Sequence, residues 1–372
     1  MDRRNFIGSS LAGLAGFSGL AAQNRRQPNI VFIMLDDLGS ADVGCYGQKK
    51  IQTPNIDRLA REGMRFTDCY AGGAVCAPSR CVLMTGLHTG HAAVRANAGT
   101  VPLRGEDVTA AEVLKGAGYA TGGFGKWGLG DAGTSGEPAK QGFDQFFGYL
   151  HQIHAHSYYP EFLWQDGRKY PLQGNREGAR EQYSADLIAE RALQFVRDHK
   201  DGPFFLYAAF TLPHGRFEVP SDAPYSGKHW PQGEKNYAAM VTRADRQIGA
   251  ILELLEELKL RDETIVFFTS DNGGTSGGGH DVSFFNSNGR LRGQKGQLYE
   301  GGIRVPMIVR WPGKVKAGAV NETPWAFCDF LPTAAELAGA QTPRGIDGIS
   351  VLPELQAKGS LPSGRVLYWE HH

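Results

Sequence analysis

The chain has 372 residues, 41% of them hydrophobic and 21% charged, so it is long enough to bury one large core or two smaller ones. Its 39 basic and 39 acidic side chains balance. This balance argues against a general nucleic-acid binder, which would have an excess of basic side chains. After the N-terminal segment, the apolar runs reach only about seven residues, which is too short for a membrane span.

Residues 1–22 have the pattern of an export signal. Arg3 and Arg4 precede a weakly apolar run that contains several glycines, and this order resembles a twin-arginine signal. Small residues at positions 19–21 suit a signal peptidase. We therefore predict a protein that is exported to the periplasm.

Four apolar runs along the chain are predicted to be buried strands, and each leads into polar residues. Asp36 and Asp37 follow the run Asn29–Leu35, Lys126 follows 119–124, His214 follows 204–210, and Asp271 and Asn272 follow 264–269. In parallel sheets ligands bind beyond the carboxyl ends of the strands, so these polar residues are predicted to form one site.

Helical patterns separate these strands and lie at 53–63, 109–118, 184–200 and 236–258. A capping-box spacing that starts at Thr333 predicts one more helix late in the chain. Residues 129–175 show no clear period and are interpreted as a long excursion. The alternation of strands and helices predicts an α/β fold with helices on both faces of a sheet.

The polar residues that follow the first and fourth strands suit a metal ion. Asp36, Asp37, Asp271 and Asn272 supply three carboxylates and one amide oxygen. Such an all-oxygen set favours Ca²⁺, and Mg²⁺ less so, whereas zinc would call for histidine or thiolate ligands. No histidine cluster accompanies these four residues in the sequence.

A second motif, Cys76-Ala77-Pro78-Ser79-Arg80, is predicted to open a helix. Pro78 suits the first turn of a helix, which places Cys76 at the N-terminal end. The partial positive charge there favours an anion and is expected to lower the pKa of the Cys76 thiol. Arg80, one turn further on, adds a permanently charged fork of donors.

The pattern Cys-x-Pro-Ser-Arg-x-x-x-Met-Thr-Gly over residues 76–86 resembles the signature of the formylglycine sulfatases. In that family a dedicated maturation enzyme oxidises the cysteine to an aldehyde, whose hydrate is the nucleophile. Further stretches that resemble the family follow in its order and span most of the chain; they are 29–37, 53–63, 125–127, 212–214, 271–273 and 295–306.

The resemblance implies an alkaline-phosphatase-like fold with a central mixed, mostly parallel sheet, and an enzyme that cleaves sulfate esters. It assigns Asp36, Asp37, Asp271, Asn272 and the modified Cys76 to the metal. It further implies that Arg80 holds the hydrated aldehyde, and that Lys126, His214 and Lys295 contact the sulfate. One hydroxyl of the hydrate would attack sulfur, and His214 would protonate the departing alcohol.

Two alternative functions remain open at this point. A phosphomonoesterase or phosphonate monoester hydrolase of the same superfamily would use the same arrangement of metal ligands. If Cys76 stays a thiol, the chain would instead be a non-catalytic, calcium-dependent carbohydrate-binding protein.

The chain departs from the family at Gly128, where the family carries a histidine that contacts the aldehyde hydrate. Either that step is slower in this protein, or another base such as His88 or His91 replaces the missing side chain.

Polar and aromatic stretches near the predicted site suit sulfated sugar rings. The predicted substrate-binding residues are His91, Arg95, Asn97, His154 and His156. Residues 284–292 resemble sulfatases that act on sulfated galactose or N-acetylgalactosamine. The expected partners are therefore a sulfated carbohydrate or small sulfate ester and the maturation enzyme, with no nucleic acid and no membrane span after removal of the signal.

Three regions are predicted: the signal at 1–22, a catalytic domain at 23–350, and a further segment at 351–372. Residues 366–372 are rich in strand formers and predict a strand that has no partner after it. The family continues into a smaller C-terminal subdomain, so we expect residues 351–372 to be the start of a truncated one.

Overall fold

The computed structural model describes residues 27–97, 99 and 101–371. The predicted signal at 1–22 therefore lies outside the described residues. Among the helices of the described part, none combines the length and the apolar character that a bilayer span requires.

One mixed sheet organises the described chain. Its strands are β1 (Asn29–Leu35), β2 (Met64–Tyr70), β3 (Ala120–Lys126), β4 (Gln145–Tyr149), β5 (Phe162–Gln165), β6 (Arg168–Pro171), β7 (Phe204–Ala209), β8 (Thr264–Ser270), β9 (Arg304–Arg310), β10 (Ala319–Asn321) and β11 (Trp325–Ala326). The order across the sheet is β10-β2-β9-β8-β1-β7-β3-β4-β5-β6, and β11 pairs with β2. The central strands β8, β1, β7, β3 and β4 are mutually parallel.

Helices cover both faces of this sheet. They are α1 (Pro54–Glu62), α2 (Cys76–Thr85), α3 (Ala110–Gly116), α4 (Ser184–Asp198), α5 (Gln232–Glu257), α6 (Val282–Phe285), α7 (Glu300–Ile303), α8 (Phe330–Ala338) and α9 (Leu352–Leu355). Alternate residues of β1 enter separate cores: Val31 and Ile33 pack with α1, α4 and α5, whereas Ile30 and Phe32 pack with α2, α3 and α8. The predicted α/β architecture with two covered faces is confirmed.

Three local predictions were wrong: the one for residues 129–175, the one for the start of the late helix, and the one for residues 366–371. Residues 129–175 contain strands β4, β5 and β6 rather than only an excursion. The late helix α8 begins at Phe330, and Thr333 lies inside it, where its hydroxyl donates to the carbonyl of Asp329 (2.6 Å). The capping-box spacing at Thr333 therefore does not mark the helix start.

The segment 366–371 forms no strand. It is held instead by single contacts, because the Trp369 indole donates to the carbonyl of Ala71 (2.8 Å) and the Glu370 amide donates to the Thr89 hydroxyl (2.8 Å). Strand-forming residue types do not suffice here, because none of the strands in residues 27–371 that the structure describes pairs with this backbone.

Candidate active site

Cys76 begins helix α2, as predicted. Val75 before it is extended, and every residue of α2 is buried. The amide of Ala77 in the first turn donates to Oδ1 of Asn97 (2.8 Å), so the Asn97 side chain satisfies one of the free amides at the start of this helix. Asn97 therefore lies beside Cys76, and its contact with substrate stays a prediction.

The polar ends of β1 and β8 meet beside Cys76, because these two strands are parallel neighbours. The thiol lies 3.3 Å from Oδ1 of Asp36 and 4.0 Å from Oδ1 of Asp37. Asn272, just beyond β8, donates its amide to Oδ1 of Asp37 (2.8 Å). The amide of Asp37 in turn donates to Oδ1 of Asp271 (3.2 Å). The structure thus brings together the five residues predicted as metal ligands.

Two lysines pair with the two carboxylates that follow β1. Nζ of Lys126 lies 2.7 Å from Oδ2 of Asp36, and Nζ of Lys295 lies 2.6 and 2.7 Å from the oxygens of Asp37. Burial alone would lower the pKa of Lys126, but Asp36 outweighs it and raises that pKa. Both ammonium groups are therefore held charged at the floor of the site.

Arg80 lies deeper and is fully buried. Its Nε and Nη2 atoms donate to Oδ2 of Asp271 at 3.1 and 2.7 Å, and Nη1 donates to the carbonyl of Lys126 at 2.5 Å. Nη2 also lies 3.4 Å from Oδ2 of Asp36. The guanidinium therefore ties the ends of β8 and β3 to α2, in addition to any role toward the Cys76 side chain.

The Cys76 thiol does not have the lowered pKa that its helix position predicted. Burial, followed by the charges of Asp271 and Asp36, raises the pKa of Cys76 to about 12. A helix terminus supplies only about half a unit of charge, which two carboxylates and the loss of solvent outweigh. The unmodified cysteine is thus a protonated thiol rather than an activated thiolate.

The donors in this cluster fit a hard cation. Burial favours the neutral acid of Asp36, but Lys126 and His214 outweigh it and hold the pKa of this carboxyl well below its usual range. Oδ1 of Asn272 is buried and has no hydrogen-bond partner in the described structure. Ligand atoms of Asp36, Asp37, Cys76 and His214 all lie within 4.8 Å of one another. An unpaired buried oxygen beside ionised carboxylates is an arrangement that a bound metal cation would satisfy.

His214 follows β7 and reaches the same cluster. Its Nε2 atom lies 3.6 Å from Oδ2 of Asp37, and Nδ1 is buried without a hydrogen-bond partner in the described structure. Burial lowers the pKa of His214 to about 4, against the opposing charge of Asp36. His156 packs on this ring, with 4.6 Å between the ring centroids, so the structure brings His156 to the site.

His91 and Arg95, both predicted to bind substrate, pair with acidic side chains in the structure, and their role toward substrate stays a prediction. His91 follows the opposite end of α2, a helix of ten residues that is about 15 Å long. Its Nδ1 atom binds Oδ1 of Asp347 (2.9 Å), and Arg95 pairs with Glu370 (3.2 Å). Both side chains are therefore occupied in bracing the loop after α2 and the 366–371 segment.

His88 and His91, the two candidates to replace a base at position 128, lie together in the loop after α2, and that role stays a prediction. The His88 ring stacks on His91 at 4.2 Å, and its Nε2 atom lies 3.5 Å from Asp347. The space at Gly128 is filled instead by Gln152, because a Cβ atom at this glycine would lie 2.1 Å from Nε2 of Gln152. Gly128 also has a φ of +79°, which disfavours any other residue.

His154 was likewise predicted to bind substrate and is placed elsewhere. Its ring packs on Tyr149 and Phe162 at centroid distances of 5.0 and 4.6 Å. The motif around 284–292 also turns inward: Phe285 is buried, and Asn288 accepts the amide of Gly274 (2.9 Å). Phe285 and Asn288 are therefore buried, whereas His154 and Phe284 are half-buried and Asn286 is exposed, so the contact of these stretches with substrate stays a prediction.

Sequence reasoning missed two residues that shape the site, Gln152 and Tyr158. The Tyr158 hydroxyl lies 2.6 Å from the carbonyl of Thr211 and 3.1 Å from that of His214. Both residues sit in the region read as an irregular excursion, where no periodic pattern drew attention to them.

Comparisons with known proteins agree with this geometry. The sulfatase family profile matches residues 28–340. Human arylsulfatase A is 36% identical over 384 residues, which covers 96% of this chain and 73% of that protein. Human N-acetylgalactosamine-6-sulfatase is 34% identical and covers 94% of this chain and 70% of its own length. The structure of Ps i-CgsB with k-i-k-neocarrahexaose superposes with a TM-score of 0.80 at 32% identity, covering 90% of this chain and 77% of that chain. The chain belongs to the sulfatase family, with the alkaline-phosphatase-like fold, and is an enzyme that hydrolyses sulfate esters.

Proposed function

We propose that this sulfatase removes sulfate from a sulfated carbohydrate, with a formylglycine made from Cys76 by a maturation enzyme and with one Ca²⁺. The observation that carries the proposal is the buried cluster in which Cys76 lies 3.3 Å from Asp36, while Lys126 and Lys295 pair with Asp36 and Asp37. It combines a modifiable side chain, anionic ligands and fixed cations in one closed space.

In this proposal the aldehyde hydrate of the modified Cys76 supplies the nucleophile. Lys126 and Lys295 bind the sulfate oxygens, on which negative charge grows as the S–O bond breaks, and their fixed positive charge counts for more in a closed site than in water. His214 lies within reach of the same space and protonates the departing alcohol. Its low pKa in the free protein rises when an anionic sulfate binds beside it.

The metal assignment rests on the donors. Asp36, Asp37, Asp271 and Asn272 offer oxygen atoms, and the orphaned Oδ1 of Asn272 supports a hard cation there. When bound, Ca²⁺ neutralises the carboxylates and polarises the sulfate oxygens. We propose Ca²⁺ in preference to Mg²⁺, because the cluster offers more protein oxygens than the near-octahedral, water-rich Mg²⁺ sphere uses.

The substrate class is supported by the relatives. One of them is named as an N-acetylgalactosamine-6-sulfatase, and another structure is in complex with k-i-k-neocarrahexaose. We therefore propose a sulfated galactose or N-acetylgalactosamine unit as the substrate. As part of the same proposal, the arginine pair at positions 3 and 4 supports export to the periplasm, which cell fractionation of the full chain tests.

The test uses the full chain, produced with and without a formylglycine-generating enzyme. Mass spectrometry of the peptide that contains Cys76 reports conversion of the thiol, and turnover of 4-nitrophenyl sulfate is compared with that of 4-nitrophenyl phosphate. We expect activity in proportion to conversion and a preference for the sulfate. A preference for the phosphate would support a phosphomonoesterase, and binding of sulfated galactan without turnover would support a calcium-dependent carbohydrate-binding protein.

A further inference from the structure

The turn between β4 and β5 places its two histidines in different surroundings. Residues His154–His156 form a single 3-10 turn. His154 is packed on aromatic rings beside β4 and β5, whereas His156 packs against His214 with ring planes 32° apart. The sequence His-Ala-His thus separates one histidine that packs on aromatic rings from one that packs on His214.

The hydroxyls of Tyr149 and Tyr158 hold the turn that carries His156 in place. The Tyr149 hydroxyl donates to the carbonyl of Ser157 (2.6 Å), directly after the turn. Tyr158, which is fully buried, has its hydroxyl 2.6 Å from the carbonyl of Thr211 and 3.1 Å from the carbonyl of His214. The turn and the loop that carries His214 are therefore tied together, so the two imidazoles keep their contact without a direct hydrogen bond.

His156 is one of the two half-buried groups of the cluster, together with Lys295. Cys76, Asp36, Lys126 and His214 are buried, whereas His156 is half-buried and keeps a face open to solvent. The sulfate binds at the lysines on the floor, and an in-line displacement directs the leaving oxygen away from the nucleophile. Because the His156 ring contacts the His214 ring, an alcohol part held beside His214 lies within reach of His156.

We propose that His156 is a specificity-determining residue that hydrogen-bonds a hydroxyl of the alcohol part, adjacent to the sulfate. This inference rests on the proposed function, since it concerns a sugar in the same site. A neutral imidazole carries one donor and one acceptor, which matches a sugar hydroxyl. Burial and Lys126 lower the pKa of His156, in agreement with a neutral ring. An aryl sulfate has no hydroxyl at this place and gains nothing from the contact.

The test replaces His156 by phenylalanine, which keeps a ring against His214 and removes the hydrogen bonds. His154→Phe is the matched control from the same turn. Formylglycine-containing enzyme is assayed with 4-nitrophenyl sulfate and with a panel of galactose and N-acetylgalactosamine monosulfates. For the monosulfate that the unaltered enzyme cleaves best, we expect kcat/KM of His156→Phe to fall about tenfold, the value of one neutral hydrogen bond. On 4-nitrophenyl sulfate the fall should be clearly smaller than on the sugar sulfate, whereas His154→Phe should leave both activities within about twofold of the unaltered enzyme.

A second variant separates recognition from structure. His156→Gln retains a donor and an acceptor and should recover sugar-sulfate turnover to within about threefold of the unaltered enzyme. Equal losses on both substrates, no loss on either, or no recovery with glutamine would overturn the inference while leaving the sulfatase assignment intact. If the unaltered, fully converted enzyme cleaves 4-nitrophenyl sulfate but no sugar sulfate, the proposed substrate and this inference both fall.

Discussion

Lys126 and Asp36 form a buried ion pair, with Nζ 2.7 Å from Oδ2, although they end strands that are not neighbours. Lys126 is the last residue of β3 and Asp36 follows β1, with β7 lying between these strands in the sheet. The pair bridges the carboxyl end of β7 and sets a positive charge beside Cys76. Four parallel strands thus deliver their terminal residues to one closed cluster, which is why the chemistry is concentrated there.

The first prediction concerns Cys76. We expect Cys76→Ala to abolish sulfatase turnover and leave the far-UV circular dichroism and melting temperature nearly unchanged, because alanine fits the first turn of α2. Cys76→Ser should be equally inactive in a host whose maturation enzyme accepts only cysteine. Substantial turnover by purified Cys76→Ala, measured with 4-nitrophenyl sulfate, would exclude the covalent mechanism.

The second prediction concerns the metal. Chelation should remove activity, and Ca²⁺ should restore it better than Zn²⁺. Asn272→Leu removes the unpaired amide oxygen while keeping a similar volume, so the calcium concentration needed for half-maximal thermal stabilisation should rise by at least about tenfold. Differential scanning fluorimetry over a calcium titration measures this rise without reference to activity. Full activity with zinc alone would contradict the oxygen-ligand assignment.

The third prediction concerns Lys126. Lys126→Met should lower kcat on the order of 10²- to 10³-fold, because a preorganised charge on the sulfate oxygens is lost. It should also lower stability, since the Asp36 carboxylate is left buried without this partner. The exposed Lys140 provides the control, and Lys140→Met should behave like the unaltered enzyme. Steady-state kinetics and urea unfolding of the two variants give the answer, and near-normal kcat in Lys126→Met would refute the role.

The fourth prediction concerns acid stability. Burial lowers the pKa of His154 to about 4, below the ordinary value of about 6.5 that it has in the unfolded chain. The unfolded chain therefore binds a proton first as the pH falls, so the contribution of His154 is present above about pH 6.5 and is lost progressively toward about pH 4.

In His154→Phe this loss should disappear. The free energy of unfolding, measured with urea at steps between pH 7 and pH 4, should fall less steeply with decreasing pH in the variant than in the unaltered protein. The difference between the two slopes should be below about 1.4 kcal/mol per pH unit. A variant with the same slope as the unaltered protein would show that this ring does not titrate differently on unfolding.

Much of the fold and the site could be read directly from the sequence. Continuous apolar runs such as Asn29–Leu35 occur because a central parallel strand is covered on both faces, and the structure has this strand with the same bounds. The polar residues that end such runs must lie at one edge of the sheet, so Asp36, Lys126 and Asp271 could be grouped before any coordinates were known. Pro78 likewise fixed Cys76 at a helix start.

Tertiary structure alone decided the rest. The strands β5 and β6 have four residues each and lie at the sheet edge, where pairing rather than hydrophobic pattern defines them. His154 and His156 look alike in sequence, yet the side chains of residues two apart on a 3-10 turn are rotated by about 240° from each other around its axis. Only the packing of Tyr158 shows which of the two rings contacts His214. The pKa of Cys76 is another such case. The helix terminus beside this thiol is visible in the sequence, but burial and the neighbouring carboxylates outweigh its effect on the pKa. These two contributions arise only when strands that are distant in the sequence pack around the thiol.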